Sequence, residues 1–104
     1  MGQRCCMILT TTNQKETVDK IIKGVLESNL ASCLQVDEVV SYFKWEGKIS
    51  SELEYRIAIK AKSDNYSKIE TAISIVHNYN LPQIIKFDIQ DGLLAYLNWI
   101  TQDI

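Results

Sequence analysis

The chain has one histidine, His77, two residues before Tyr79 in the segment HNYNLPQII. Imidazole is a ligand for copper and zinc. It also suits a helix C-terminus, where a cation or an N–H donor meets carbonyls that the helix leaves unpaired. Cys33, in LASCLQV, has the thiol that Cu(I) prefers, and equally the size of a small buried apolar group. Together, Cys33 and His77 are the residue types of a nucleophile and its base. That chemistry needs a lowered thiol pKa and hydrogen-bond reach. Glu54 and Lys60 share the polar side of the alternating stretch ELEYRIAIK. They read as a solvated face with cross-strand ion pairs, or as the lining of a small-ligand pocket between subunits.

Composition narrows the classes. The 104 residues are 46% hydrophobic and 23% charged, with a net charge of −2. A chain of this length suits one domain, 1–104, with one modest core. Basic residues are scattered, so nucleic acid is not expected as a partner. No apolar run approaches the length of a membrane span, and the N-terminal stretch lacks the pattern of a signal peptide. Three cysteines, Cys5, Cys6 and Cys33, have neither disulfide nor zinc spacing. Reduced thiols in the cytoplasm are the expectation.

The elements follow from periodicity. Arg4 to Thr11 is a short apolar strand. Val18, Ile21, Ile22, Val25 and Leu26 keep helical spacing, with Asn13 and Glu16 as a capping box and an end near Asn29. ASCLQVDEVVSYFKW is a strand whose alternation degrades after Glu38, so it is either bulged or buried on both faces. After a turn at Glu46-Gly47, the next strand places Leu53, Tyr55, Ile57, Ile59 and Ala61 on one side. A second helix uses Ile69, Ala72, Ile73 and Val76. A strand follows with Ile85, Phe87 and Ile89 inward, then a short helix capped by Asp91. The order β-α-β-β-α-β-α predicts an α+β ferredoxin-like sandwich with an added C-terminal helix.

The central hairpin is too long for its domain. Each arm of roughly 14 residues spans about 45 Å. A compact chain of this size is about 34 Å across, from a radius of gyration near 13 Å. Tyr42, Phe43 and Trp45 crowd the tip, where turns normally face water. The economical cover is another copy of the chain, so a homo-oligomer is expected.

The motifs LASCLQV, YFKWEGKI, ELEYRIAIK, HNYNLPQII and YLNWI occur in this order along nearly the whole chain. Together they resemble the CutA family of divalent-cation tolerance proteins. The resemblance implies a tight homotrimer in which long hairpins pair between subunits, an assembly like that of the PII signalling proteins. It implies tolerance or response to metal ions, with copper or another divalent cation bound at His77 and Cys33, and no catalytic activity. It also implies an inter-subunit cleft that Trp45, Glu54, Lys60 and Tyr79 line. A trimeric scaffold that binds a protein partner or small ligand is the alternative. The match departs from the family pattern at Thr10 and Val76, where copper-binding relatives have Cys and His. It departs again at Asn78, Asn80 and Gln83, where a Pro and two acidic residues are replaced. Neither Thr nor Val supplies a soft or imidazole ligand.

Overall fold

A computed structural model describes residues 4–102. Its elements are β1 (Cys5–Thr12), α1 (Lys15–Glu27), β2 (Cys33–Trp45), β3 (Lys48–Lys62), α2 (Tyr66–Val76), β4 (Ile84–Ile89) and α3 (Leu94–Thr101), with a 3-10 turn at Ser63–Asn65 before α2. The four strands form one antiparallel sheet in the order β2-β3-β1-β4. This is the ferredoxin-like arrangement expected from the sequence.

Alternation along β1 decides the layers. Cys6, Ile8, Thr10 and Thr12 are fully buried on one face. Opposite them in register stand Ala61, Ile59, Ile57 and Tyr55 of β3. Val18, Ile21 and Val25 of α1 and Ile69 and Ile73 of α2 close over this face as the core. The other face carries Cys5, Met7 and Leu9 beside Ile89, Phe87 and Ile85 of β4. Among the described elements, α3 alone crosses this side: Lys60 Nζ donates to the Tyr96 hydroxyl at 3.2 Å, and Ser32 Oγ donates to the Ile100 carbonyl at 2.9 Å. Ile85 and Phe87 are therefore not inward on the helix side. They lie partly exposed on the face away from α1 and α2, while Ile84 packs against the core.

Two predicted caps are replaced. Asn13 and Glu16 form no capping box. The α1 N-cap is Gln14, whose N–H donates to Thr12 Oγ1, and Asn13 turns to Glu52 instead. Asp91 accepts from the Gly92 N–H and does not cap α3, whose N-cap is Leu93. Helix α1 closes with Asn29 in the left-handed region, φ 57°. Leu30 N–H bonds to Val25 C=O and Asn29 N–H to Leu26 C=O, the paired bonds of a Schellman end.

The β2–β3 ladder runs in unbroken register from Cys33↔Lys60 to Trp45↔Lys48. No bulge accounts for the lost alternation in β2. The strand has apolar side chains on both faces because its outer half leaves the helices behind. Glu46 and Gly47, at φ 50° and 78°, make the two-residue turn with both central residues left-handed, whose twist matches the flanking strands. The domain measures 48 × 26 × 21 Å, and the hairpin accounts for the long axis. Beyond the helices, Trp45 is 65% exposed, Leu53 74% and Ile49 81%.

Thr10 Oγ1 is buried in the core and has no hydrogen-bond partner. An orphan hydroxyl in an apolar site costs about 1–3 kcal/mol. Thr10→Val keeps the branched shape and removes the orphan, so it is expected to stabilise the fold by about 1 kcal/mol. Urea unfolding checks this. A midpoint that falls would contradict the burial of an unpaired hydroxyl.

Candidate functional site

The polar groups of the chain converge where β1 ends and β3 runs on toward the hairpin. Glu54 is held from two sides: the Ser41 hydroxyl donates to Oε1 at 2.5 Å and the Tyr79 hydroxyl to Oε2 at 2.6 Å. Ser41 reaches Glu54 because the two-residue turn sets it opposite Glu52, one diagonal step away on the same face. Tyr79 arrives from the loop after α2. Burial pushes its phenol well above the usual range, and the Glu54 carboxylate adds to the shift.

His77 anchors that loop. It is the C-cap of α2 and has already turned extended, φ −69° and ψ 140°. Its Nε2 lies 2.9 Å from the Thr11 carbonyl, and its Nδ1 accepts the Tyr79 backbone N–H at 3.0 Å. A carbonyl can only accept, so Nε2 bears the proton and Nδ1 the lone pair. Burial holds the His77 pKa below its ordinary value, against the opposing pull of the Thr11 bond and Glu54.

A second strand of contacts runs beside the first. The Thr12 hydroxyl donates to Asn78 Oδ1 at 2.5 Å, Asn78 Nδ2 to Asn13 Oδ1 at 2.9 Å, and Asn13 Nδ2 to Glu52 Oε1 at 2.6 Å. Asn78 and Gln83, two of the departures from the family pattern, thus work as neutral amide partners. Gln83 Oε1 accepts from Thr11 Oγ1 at 3.5 Å. A proline at position 78 could make neither Asn78 bond.

Of the residues singled out in the sequence, the structure gathers Glu54, Tyr79 and His77. It does not bring Lys60, Cys33 or Trp45 to them within one protomer. Lys60 is six residues from Glu54, roughly 20 Å along β3. There its ammonium sits 5.4 Å from the Tyr96 ring centroid. Cys33 is directly opposite Lys60. His77 bonds to Thr11, which pairs with Arg56, so Cys33 and His77 are about 13 Å apart along the strands. Trp45 is at the hairpin tip, roughly 20 Å from Glu54 in the other direction. Sequence reasoning missed Ser41, Asn13, Thr11 and Thr12. Ser41 was recoverable from the turn register. The others depend on tertiary contacts across β1.

A metal needs several convergent ligands, and among the described residues no group of three His, Cys, Asp or Glu side chains is close enough to hold one. Thr10 points into the core and Val76 packs against it, so neither completes a set. The residues of one protomer therefore do not fit a copper centre built on His77 and Cys33.

Fold and site together define a ferredoxin-like α+β domain, extended by a long hairpin with a hydrogen-bonded polar corner at its root. The family model described as CutA1 divalent ion tolerance protein matches residues 6–103, and the chain belongs to that family. The divalent-cation tolerance protein CutA of Archaeoglobus fulgidus is 31% identical over 97 residues, 93% of this chain and 95% of the relative. Its solved structure, described as periplasmic, superposes with a TM-score of 0.86 over 92% of this chain and 94% of that one. CutA1 from Shewanella sp. SIB1 superposes at 0.87, with 29% identity over 96% and 94% of the two chains. An Arabidopsis thaliana relative, 26% identical over 90% of this chain and 52% of its own, is named as chloroplastic.

The lowered pKa of the sole histidine makes a pH prediction. Between the folded pKa and the ordinary 6.5, the unfolded chain binds the proton that the folded chain refuses. The His77 contribution is therefore complete above that window and is lost as pH falls through it. Urea midpoints for the parent and His77→Gln are expected to converge as pH drops below about 6.5. A difference independent of pH would contradict a buried neutral imidazole.

Proposed function

We propose that the protein serves in the response to divalent metal ions as a homotrimer, with clefts between subunits that take copper or another divalent cation. The apolar surface open on a single copy carries this reading. Phe43, Trp45, Ile85 and Phe87 are exposed on the face away from α1 and α2, and Val40, Ile49 and Leu53 on the other side of the hairpin. Surface of that extent marks an interaction site. Other copies of the chain, placed as the family resemblance implies, would bury it and set neighbouring hairpins beside the Glu54 corner.

Within that assembly the cleft is lined by oxygen donors, Glu54, Ser41 and Tyr79, which favour a hard cation over a soft one. The separation of Cys33 from His77 supports binding rather than nucleophilic catalysis. Thiols at Cys6 and Cys33 that form no disulfide support a reducing, cytoplasmic setting. The second reading is a trimeric scaffold for a protein partner. It is favoured by the commitment of both His77 ring nitrogens to the fold.

Light-scattering molar mass, read during Cu(II) and Zn(II) titrations, tests the proposal. The expected mass is three times 11.9 kDa. Glu54→Gln is expected to keep that mass and weaken cation binding at least about tenfold, the loss of a charged contact. Trp45→Ala is expected to loosen the trimer by about 2 kcal/mol or more, as an interface anchor does. A monomer would overturn the assembly. An intact trimer with a titration unchanged by Glu54→Gln would move the reading to the scaffold.

A further inference from the structure

We propose that His77 is a tautomer-locked positioning residue that sets Tyr79 against Glu54, and that it does not act as a metal ligand in this chain. The inference is read from one protomer and shares with the proposed function only the Glu54 corner.

A neutral imidazole has one N–H and one lone pair. Here the N–H goes to the Thr11 carbonyl, at the end of β1. The lone pair takes the Tyr79 backbone N–H, two residues ahead in the loop. The ring therefore ties the start of the α2–β4 loop to the sheet and fixes the backbone that carries the Tyr79 phenol. Its centroid lies 5.0 Å from the Tyr79 ring, tilted by 52°, so the two rings also pack. The phenol then meets Glu54 Oε2 at 2.6 Å.

A metal ion on His77 has to displace one of these bonds. Coordination at Nδ1 strips Tyr79 N–H of its acceptor. Coordination at Nε2 requires the other tautomer and repels the Thr11 carbonyl with a second lone pair. Either change loosens the Tyr79–Glu54 contact. Among the described residues no group of three His, Cys, Asp or Glu side chains stands ready to offset the loss: Thr10 faces the core, Val76 is apolar, and Asn78 is spent on Thr12 and Asn13. Burial further favours the neutral ring that this bonding pattern needs.

Long-range nitrogen–proton NMR of the sole imidazole, on the full protein with and without Zn(II) or Cu(I), tests the inference. The expected spectrum is that of the Nε2–H tautomer, unmoved by either ion. The Tyr79 hydroxyl proton is expected to be slow-exchanging in the parent, lost in His77→Ala and restored in His77→Gln, whose amide can donate to Thr11 and accept from Tyr79. Ring signals that shift with an equimolar ion would overturn the inference, whatever the mass of the assembly. So would a Tyr79 hydroxyl that stays protected in a folded His77→Ala protein. Cation binding lost in Glu54→Gln while the ring stays silent would support both this inference and the cleft. A silent ring with no cation bound would support this inference and overturn the cleft's cation role.

Discussion

Thirteen consecutive antiparallel pairs join β2 to β3 without a slip, and this ladder outruns the layer of helices that covers the sheet. The rest of the molecule follows from that mismatch. Near the core, β3 buries Ile57, Ile59 and Ala61 under α1 and α2. Farther out the same alternation continues through Leu53 and Ile49, which are exposed. Full burial of one large apolar side chain is worth roughly 1.5–3 kcal/mol. Val40, Phe43, Trp45, Ile49 and Leu53 together then exceed the ~4–15 kcal/mol cost of bringing partners together only if most of them are covered. That arithmetic favours an extensive interface over a glancing one.

The ladder also places the chemistry. Its register sets Ser41 one step from Glu54, and its departure from the core leaves Glu54 at the margin of the helices, within reach of the α2–β4 loop. The site is thus a junction of a rigid arm and a loop tied down by His77. Carboxylates take the Ser41, Tyr79 and Asn13 donors, and the Thr11 carbonyl and neutral side chains take the others. Asn78 and Gln83 take part in this junction as neutral hydrogen-bonding partners, and Glu54 is the carboxylate held at its centre.

Periodicity exposed the strands and helices because the core-facing stripes are clean, as in Tyr55 to Ala61 and Val18 to Val25, although the same spacing also drew in Leu53 and Leu26, which are exposed. The overhang was legible from strand length alone, since residue count sets reach. Helix caps were not. Asn13 has the right type for an N-cap, but Glu52, close in space and distant in sequence, offers it a charged acceptor. Ile85 and Phe87 alternate like core residues, but they stand on the sheet face away from α1 and α2, which only the pairing with β1 reveals. The candidate site was half legible. Residue type pointed to His77, Tyr79 and Glu54, but their grouping apart from Cys33, Lys60 and Trp45 needed the register.

Amide hydrogen exchange across Val39–Leu53 tests the central claim, that the hairpin is a buried element of an assembly, most directly. Measured on the intact protein at micromolar concentration, the tip amides are predicted to be protected as strongly as those of Ile57 and Ile59 in the core. Tip amides that exchange at the rate of a solvent-exposed hairpin, while the core stays protected, would contradict it.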